Sequence, residues 1–413
     1  MTTAELSRRA AIAAAAVTTG AALEKAVPGP LKRVDAGAFG LKGDGIADDT
    51  AALQRALDAT FSRDGGMLVI PPGAYRVSRP LHISAEPSKN ITNRNGVSAY
   101  GARLVSALGK GQSVIEVVSR ANHRFFLLEG LDIQGYGKEG HGIVLECESN
   151  DNFLYNFCLR DVVVQNCGGD GCRLIGNVFE GQIFNSYFRD NHGSGTTFSH
   201  GEKAGVLSAV HVFGSVFGQN HAHGAAILRN AYDVGFHGCY FLLNGHFGLL
   251  AENGCSLLSN CGFENNHTLA PDFDHGDAGI SLNSFGTMIA CSGYSIAKQN
   301  ALVKAYVTAP LTMIGCSGGG DGAAAKAALA KLNGTASGSA TVIGCQGPIE
   351  QAPNFGAIVM GRKEGGADFT SDWNSRSLLR LGEFALWVGA DGKLRLKKGT
   401  PASDADGAVV GSG

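Results

Sequence analysis

The sequence predicts an all-β chain: a single-stranded right-handed parallel β-helix with an N-terminal helix cap and a small C-terminal β cap. Three observations lead there. Short strands with period-2 alternation recur at intervals of 24 to 31 residues, the mark of a solenoid whose coils bury one another's inner faces. Each of these strands is opened by a glycine. Glycine as a whole accounts for 60 of 413 residues, about twice the usual ~7%. The same composition excludes other classes. A hydrophobic fraction of 44% with only 17% charged residues is too apolar for a disordered chain. The glycines keep no period of three and there are 11 prolines, so collagen is excluded. A net charge of −2, from 34 basic and 36 acidic residues, leaves no electrostatic footprint for nucleic acid. No run of eighteen apolar residues occurs, so no membrane span is expected.

Residues 1–26 read as an export signal, because Arg8 and Arg9 precede a weakly apolar stretch at 10–23 that resembles a twin-arginine leader. The expected location is periplasmic or secreted. Residues 27–90 form a capping segment. Asp48, Asp49 and Thr50 offer N-cap oxygens, and Ala52, Leu53, Ala56, Leu57 and Phe61 follow at helical spacing. Gly65-Gly66 ends that helix, and 67–70 before Pro71-Pro72-Gly73 is a short buried strand closed by a turn. The wording Ala-Phe-Gly-Leu-Lys-Gly-Asp-Gly-Ile-Ala-Asp-Asp-Thr at 38–50, with Ile-Pro-Pro-Gly-Ala-Tyr at 70–75, resembles the N-terminal segment of the pectate lyase superfamily. That superfamily includes glycoside hydrolase family 28 relatives and phage tailspikes. The resemblance implies a right-handed parallel β-helix in which this segment caps the coil, so Asp44, Asp48 and Asp49 are expected to be structural.

Residues 91–366 carry the coils. Six segments read glycine, apolar, any, apolar, beginning at Gly142, Gly171, Gly195, Gly224, Gly248 and Gly279. Asn166, Asn191, Asn220, Asn244 and Asn266 precede five of them. A small residue stands five positions before each asparagine: Asp161, Ser186, Ser215, Cys239 and Cys261. Two positions further on come Val163, Phe188, Phe217, Phe241 and Phe263. Coils spaced ~4.8 Å apart place equivalent residues above one another, which predicts an asparagine ladder and an internal phenylalanine stack. Cys239, Cys261, Cys291, Cys316 and Cys345 fall in the small inward column with Ser186 and Ser215, so reduced, buried thiols are expected rather than disulfides. The Gly/Ala-rich stretch at 323–332 reads as an inserted short helix. Residues 367–413 read as a β-hairpin cap, a kind of end compatible with a homotrimer.

Within each strand the first and third residues after the glycine point inward, and the residue before it sits at the strand's lip. The lip column reads His141, Asp170, Ser194, His223, Phe247 and Ala278. A second column follows the asparagines: Cys167, His192, His221, Gly245 and His267, with His246 beside it. Histidine is at home on surfaces, yet so many in one set of turns mark a functional strip. His211 and His237 fall in a different strand. His237 shares its column with Leu159, Phe184 and Phe213, which reads as a buried core histidine. Two insertions lengthen the coils. The first, 199–205, delivers His200, Glu202 and Lys203; the second, 268–277, brings Asp272, Asp274, His275 and Asp277. Loops on a rigid scaffold are where binding residues tend to lie. Three carboxylates in the second loop suggest calcium, but their spacing matches no standard calcium loop, and no cofactor is expected.

A polysaccharide lyase needs a base for the proton α to a uronate carboxyl and cationic or hydrogen-bonding groups for the enolate-like intermediate. His192, His221 and His223 are the base candidates. Asp170 orients a histidine or serves as acid, while Arg173 and Lys203 meet substrate carboxylates. His141, His200, Glu202, His246 and His267 complete the expected substrate-binding set. A glycoside hydrolase needs two carboxyls, ~5–5.5 or ~6.5–9.5 Å apart, and Asp170 has no carboxylate above or below it in its column, with Glu202 the nearest candidate. Gly140-His141-Gly142 matches a piece of the family 28 pattern, but it precedes Gly169-Asp170-Gly171 and no Asn-Thr-Asp follows. The expectation is therefore an exported enzyme that cleaves an acidic polysaccharide, by β-elimination before hydrolysis. A non-catalytic glycan-binding or tailspike-like solenoid is the third reading.

Overall fold

The computed structural model describes residues 32–411 apart from internal segments, of which 267–277, 321–327 and 361–377 are the longest. The export segment 1–26 lies outside the described residues. Strand follows strand through the chain, and almost every pairing is parallel to the strand one coil away. One large parallel sheet combines 25 strands, and a second has 11. The second runs, one strand per coil, from Leu81–Ala85 through Ile115–Ser119, Ile143–Cys147, Cys172–Gly176, Thr196–Ser199, Ala225–Ile227, Leu249–Ala251, Ala278–Leu282, Ala301–Val307 and Ala328–Gly334 to Ile349–Gln351. This is the parallel β-helix expected from the repeats. Register follows the glycines: Ile143 pairs Cys172, Cys172 pairs Thr196, Thr196 pairs Ala225, Ala225 pairs Leu249 and Leu249 pairs Ile280.

The helix α1 (Thr50–Phe61) stands where the capping motif places it. Asp48 accepts hydrogen bonds from the Thr50 amide and hydroxyl and from Ser78, which holds its carboxyl down at about 2. Asp49 accepts the amides of Lys42 and Gly43. Leu53 and Leu57 of α1 close the end of the core against Leu81, Ile83, Ile115 and Leu128. Strands Met67–Val69 and Leu81–Ala85 already pair with the coils, so the sheets run on across residue 90. At the other end, Leu378–Leu381, Phe384–Val388, Leu394–Lys398 and Ala408–Val409 form a four-stranded antiparallel sheet around the buried Trp387.

Inside the coils the expected ladders are present. The asparagine side chains of 191, 220 and 244 each donate to the carboxamide oxygen of the next, at 3.0, 3.0 and 2.8 Å. Phe188, Phe217, Phe241 and Phe263 stack with centroids 5.5, 4.9 and 4.7 Å apart. All ten cysteines are free, and Cys239, Cys261, Cys291 and Cys316 donate to backbone carbonyls. The recurrent glycines serve close approach rather than unusual torsion. A Cβ on Gly195 or Gly224 would stand 2.5 Å from the next coil's carbonyl oxygen, a separation real Cβ atoms do not tolerate. The left-handed corners are often occupied by other residues: Asp161, Asn185, Asn260 and Ala290 share one corner column with Gly214 and Gly238.

Three expectations are corrected. First, the coil before Gly171 is shifted by one residue. Val163 pairs Tyr187 and Val164 pairs Phe188, so Val162, Val164 and Cys167, and not Asp161, Val163 and Asn166, stand in the small, phenylalanine and asparagine columns. The Cys167 amide caps the ladder by donating to Asn191 Oδ1. Cys167 therefore leaves the histidine column, whose place in that coil is taken by Gly168. Second, His237 is not in the core. Its column is Arg160, Phe184, Phe213 and His237, without Leu159, which points inward and is fully buried; the His237 column faces outward, half-buried. Third, 328–334 is a strand paired along Ala301–Val307, while 323–327 lies outside the described residues. Its alanines favour helix, but the exposed edge of the growing sheet recruits the segment.

Candidate functional site

The lip of the 11-stranded sheet is built because its middle strands begin just after Gly142, Gly171, Gly195 and Gly224, each packed against the next coil's carbonyl, leaving the preceding side chain to project at the strand's edge. Five coils contribute to it. His141, Asp170 and Arg173 meet in the first two. The Asp170 amide donates to His141 Nδ1 at 2.9 Å, so that nitrogen carries a lone pair and the proton of the neutral ring resides on Nε2. The 3.6 Å approach of His141 Nδ1 to the Asp170 carboxylate is then no ion pair, because a backbone N–H is always a donor and takes precedence. Burial pushes the His141 pKa down, Asp170 pulls it back up, and Arg173 pushes it down further.

Arg173 Nη1 stands 3.3 Å from His141 Nε2. With Nε2 protonated, this is a meeting of two donors without an acceptor. Arg173 Nε is also buried without a partner. A buried donor left unpaired costs about 1–3 kcal/mol, so the pair forms an incomplete arrangement that an anionic oxygen would complete. Asp170 itself is held in place: its Oδ1 accepts the Ser194 amide at 2.8 Å and lies where a Cβ on Gly193 would meet it at 2.3 Å.

His192 and His221 are exposed and stack face to face, centroids 4.5 Å apart at 13°. The His192 ring uses the space above Gly137, where a Cβ would approach it to 2.9 Å. His223 lies deeper, stacked on Phe247 at 5.7 Å and edge-on to His246 at 5.2 Å. Burial, with a smaller contribution from His246, pushes its pKa down to about 3, and its Nδ1 is buried without a partner. His200 is half-buried just beyond its strand. Glu202, Lys203 and His267 lie outside the described residues, as do Asp272, Asp274, His275 and Asp277.

Sequence reasoning missed two contributors. Ser194, in the lip column, supplies the amide that fixes Asp170. Glu139, almost fully buried, accepts the amides of Tyr136 and Gly137 and so shapes the loop that bears His141 and backs His192. Its signal was a lone carboxylate inside Gly-Tyr-Gly-Lys-Glu-Gly-His-Gly. Among the described residues no group of three or more metal-ligating side chains occurs, and no helix is long and apolar enough to cross a membrane.

Comparison with known proteins agrees with this architecture. Residues 34–104 match the family described as rhamnogalacturonase A/epimerase, pectate lyase-like, and residues 258–412 match the family described as capsule depolymerase. Mannuronan C5-epimerase AlgE5 of Azotobacter vinelandii is 30% identical over 257 residues, 52% of this chain and 24% of that protein. The capsule KN3-specific depolymerase 1 of Klebsiella phage KN3-1 is 28% identical over 160 residues, 38% of this chain and 18% of that protein. The matched region thus spans a quarter or less of these relatives. Among solved structures, ORF18 of Geobacillus virus E2 superposes with a TM-score of 0.62 at 18% identity, covering 91% of this chain and 75% of that one. The A-module of the Azotobacter vinelandii epimerase AlgE4 superposes with a TM-score of 0.53 at 16% identity, covering 82% of this chain and all of that module. The chain carries the pectate-lyase-like parallel β-helix.

Proposed function

We propose that the chain modifies an acidic polysaccharide by removing the proton α to a uronate carboxylate, with β-elimination as the outcome. One observation carries this reading: the Arg173 guanidinium and the His141 Nε2–H converge with no acceptor between them, and a sugar carboxylate supplies one. Neutralising that carboxylate acidifies the adjacent C–H and stabilises the enolate-like intermediate. His192 and His221, exposed on the same lip, are the groups a sugar ring reaches, and one of them takes the proton. His223 is too weak a base at about 3 and serves with Phe247 and His246 as the wall of the groove. Asp170 positions His141 through its amide and is itself oriented by Ser194.

Hydrolysis is less well supported, because no second carboxylate accompanies Asp170 among the described residues of its column. Epimerisation is the second reading. It is favoured by the mannuronan C5-epimerase relatives and shares the first chemical step, differing only in returning a proton to the opposite face instead of expelling the leaving group. A panel of uronate and neutral glycans incubated in deuterated water separates the outcomes. New ultraviolet-absorbing alkene marks the lyase, and deuterium at C5 without alkene marks the epimerase. Either signal should fall at least ~100-fold in Arg173→Ala, the scale of one lost charge-stabilising donor. Reducing ends without alkene or deuterium, or binding without turnover, would sink the proton-abstraction reading.

A further inference from the structure

We propose that His211 and His237, on the outward face of the large sheet and away from the lip, form a binding site for a divalent transition-metal ion of the zinc class. The two rings come from neighbouring coils, Leu207–Phe213 and Ala231–His237. His237 Nε2 and His211 Nδ1 face each other at 3.4 Å. Two imidazole nitrogens on one tetrahedral zinc, each at ~2.0–2.1 Å, stand about 3.3–3.4 Å apart. The spacing is therefore the bite of a metal chelate, and long for a direct hydrogen bond.

Both rings are held in this pose before any ion arrives. His237 stacks on Phe213 with centroids 4.7 Å apart at 13°. Its Nδ1 lies 2.8 Å from the Ser259 hydroxyl, an oxygen able to accept Nδ1–H in the tautomer that turns the Nε2 lone pair toward His211. An oxygen partner on the far nitrogen is the arrangement that metal-bound histidines use to fix their tautomer. The His211 ring occupies space that exists because residue 235 is glycine: a Cβ there would stand 2.5 Å from His211 Nδ1. Both histidines are half-buried, so one side of the pair remains open to solvent. No third His, Cys, Asp or Glu joins them among the described residues, and water completes the coordination. Two neutral imidazoles select zinc, copper or nickel over calcium and magnesium, which prefer oxygen.

The test is calorimetric titration of the untagged full chain with zinc chloride, with magnesium chloride as the comparison and circular dichroism to check the fold of every variant. One equivalent of zinc is expected to bind where magnesium gives no heat. That equivalent should weaken at least tenfold in His237→Ala and in the more conservative His211→Gln, and persist in His221→Ala, which dismantles the other histidine pair. Absence of zinc binding up to millimolar concentration would overturn the site. So would zinc heat unchanged in both the His211 and His237 variants, or lost in His221→Ala instead.

Discussion

Replacing Asn220 by alanine tests the energetic claim on which the coil rests. Its carboxamide is almost wholly buried and makes four hydrogen bonds. Oδ1 accepts from the Asn191 amide at 3.2 Å and from Asn191 Nδ2 at 3.0 Å; Nδ2 donates to Phe188 O and to Asn244 Oδ1, both at 3.0 Å. Truncation orphans the Asn191 amide, at about 1–3 kcal/mol, and takes one partner from each of three other buried groups, at about 0.5–1.5 kcal/mol apiece. Asn191 Nδ2 keeps Val164 O and Asn244 Oδ1 keeps the residue 220 amide, so these two are weakened and not abandoned. The expected loss is about 2.5–7.5 kcal/mol, a large part of a domain's net stability. Asn166→Gly is the internal control. Asn166 sits at a left-handed corner with φ +59°, a conformation glycine accepts without strain, and its replacement should change stability by less than about 1 kcal/mol. Urea unfolding followed by far-ultraviolet circular dichroism measures both; midpoints are the safer comparison, because stacked coils need not unfold in one step. Equal losses in the two variants, or a loss below about 1 kcal/mol in Asn220→Ala, would refute the ladder as a stabilising device and the one-residue shift with it.

Three further outcomes are expected. His123 is fully buried against Asn95 and Phe126, and burial pushes its pKa down to about 4. Its neutral form is the folded form, so its contribution is complete above ~6.5 and is lost as pH falls from 6.5 toward 4, amounting to about 3 kcal/mol; in His123→Gln that slope should flatten, and an unchanged urea-midpoint profile counts against the assignment. Phe217→Ala removes the middle of the stack between Phe188 and Phe241 and should cost about 3–5 kcal/mol in the same assay; a cost under ~1 kcal/mol would mean the stack is not close-packed. Nine of the ten thiols are buried and Cys158 is half-buried, so a thiol reagent should label at most one site per native chain and all ten after denaturation, and rapid labelling of several native thiols would contradict the inward column.

Legibility in the sequence followed the kind of interaction involved. The solenoid, the glycine register and the ladders at Asn191, Asn220 and Asn244 are translational facts: a constant offset repeated along the chain must superpose when coils stack. Even the shifted coil was legible on that basis. Asn191, Asn220 and Asn244 each stand four residues before their glycine, and so does Cys167, whereas Asn166 stands five before. Matching by residue type instead of offset moved that coil by one position, and one position exchanges the two faces of a strand. The same slip turned His237 into a core residue. The alanine-rich strand Ala328–Gly334 was hidden for another reason, since its local preference is helical and only the waiting edge of Ala301–Val307 overrides it.

By itself, then, the sequence determined a stacked parallel coil, an N-terminal cap and a lip crowded with histidine, because period and glycine spacing are properties of the chain alone. Only the tertiary structure decided that the Asp170 amide fixes the His141 tautomer, that Arg173 meets His141 donor to donor, that His223 is half-buried with its Nδ1 enclosed, and that His211 and His237 face one another. Those relations depend on side-chain direction and on the ~4.8 Å between coils, and no spacing along the sequence encodes which nitrogen faces which.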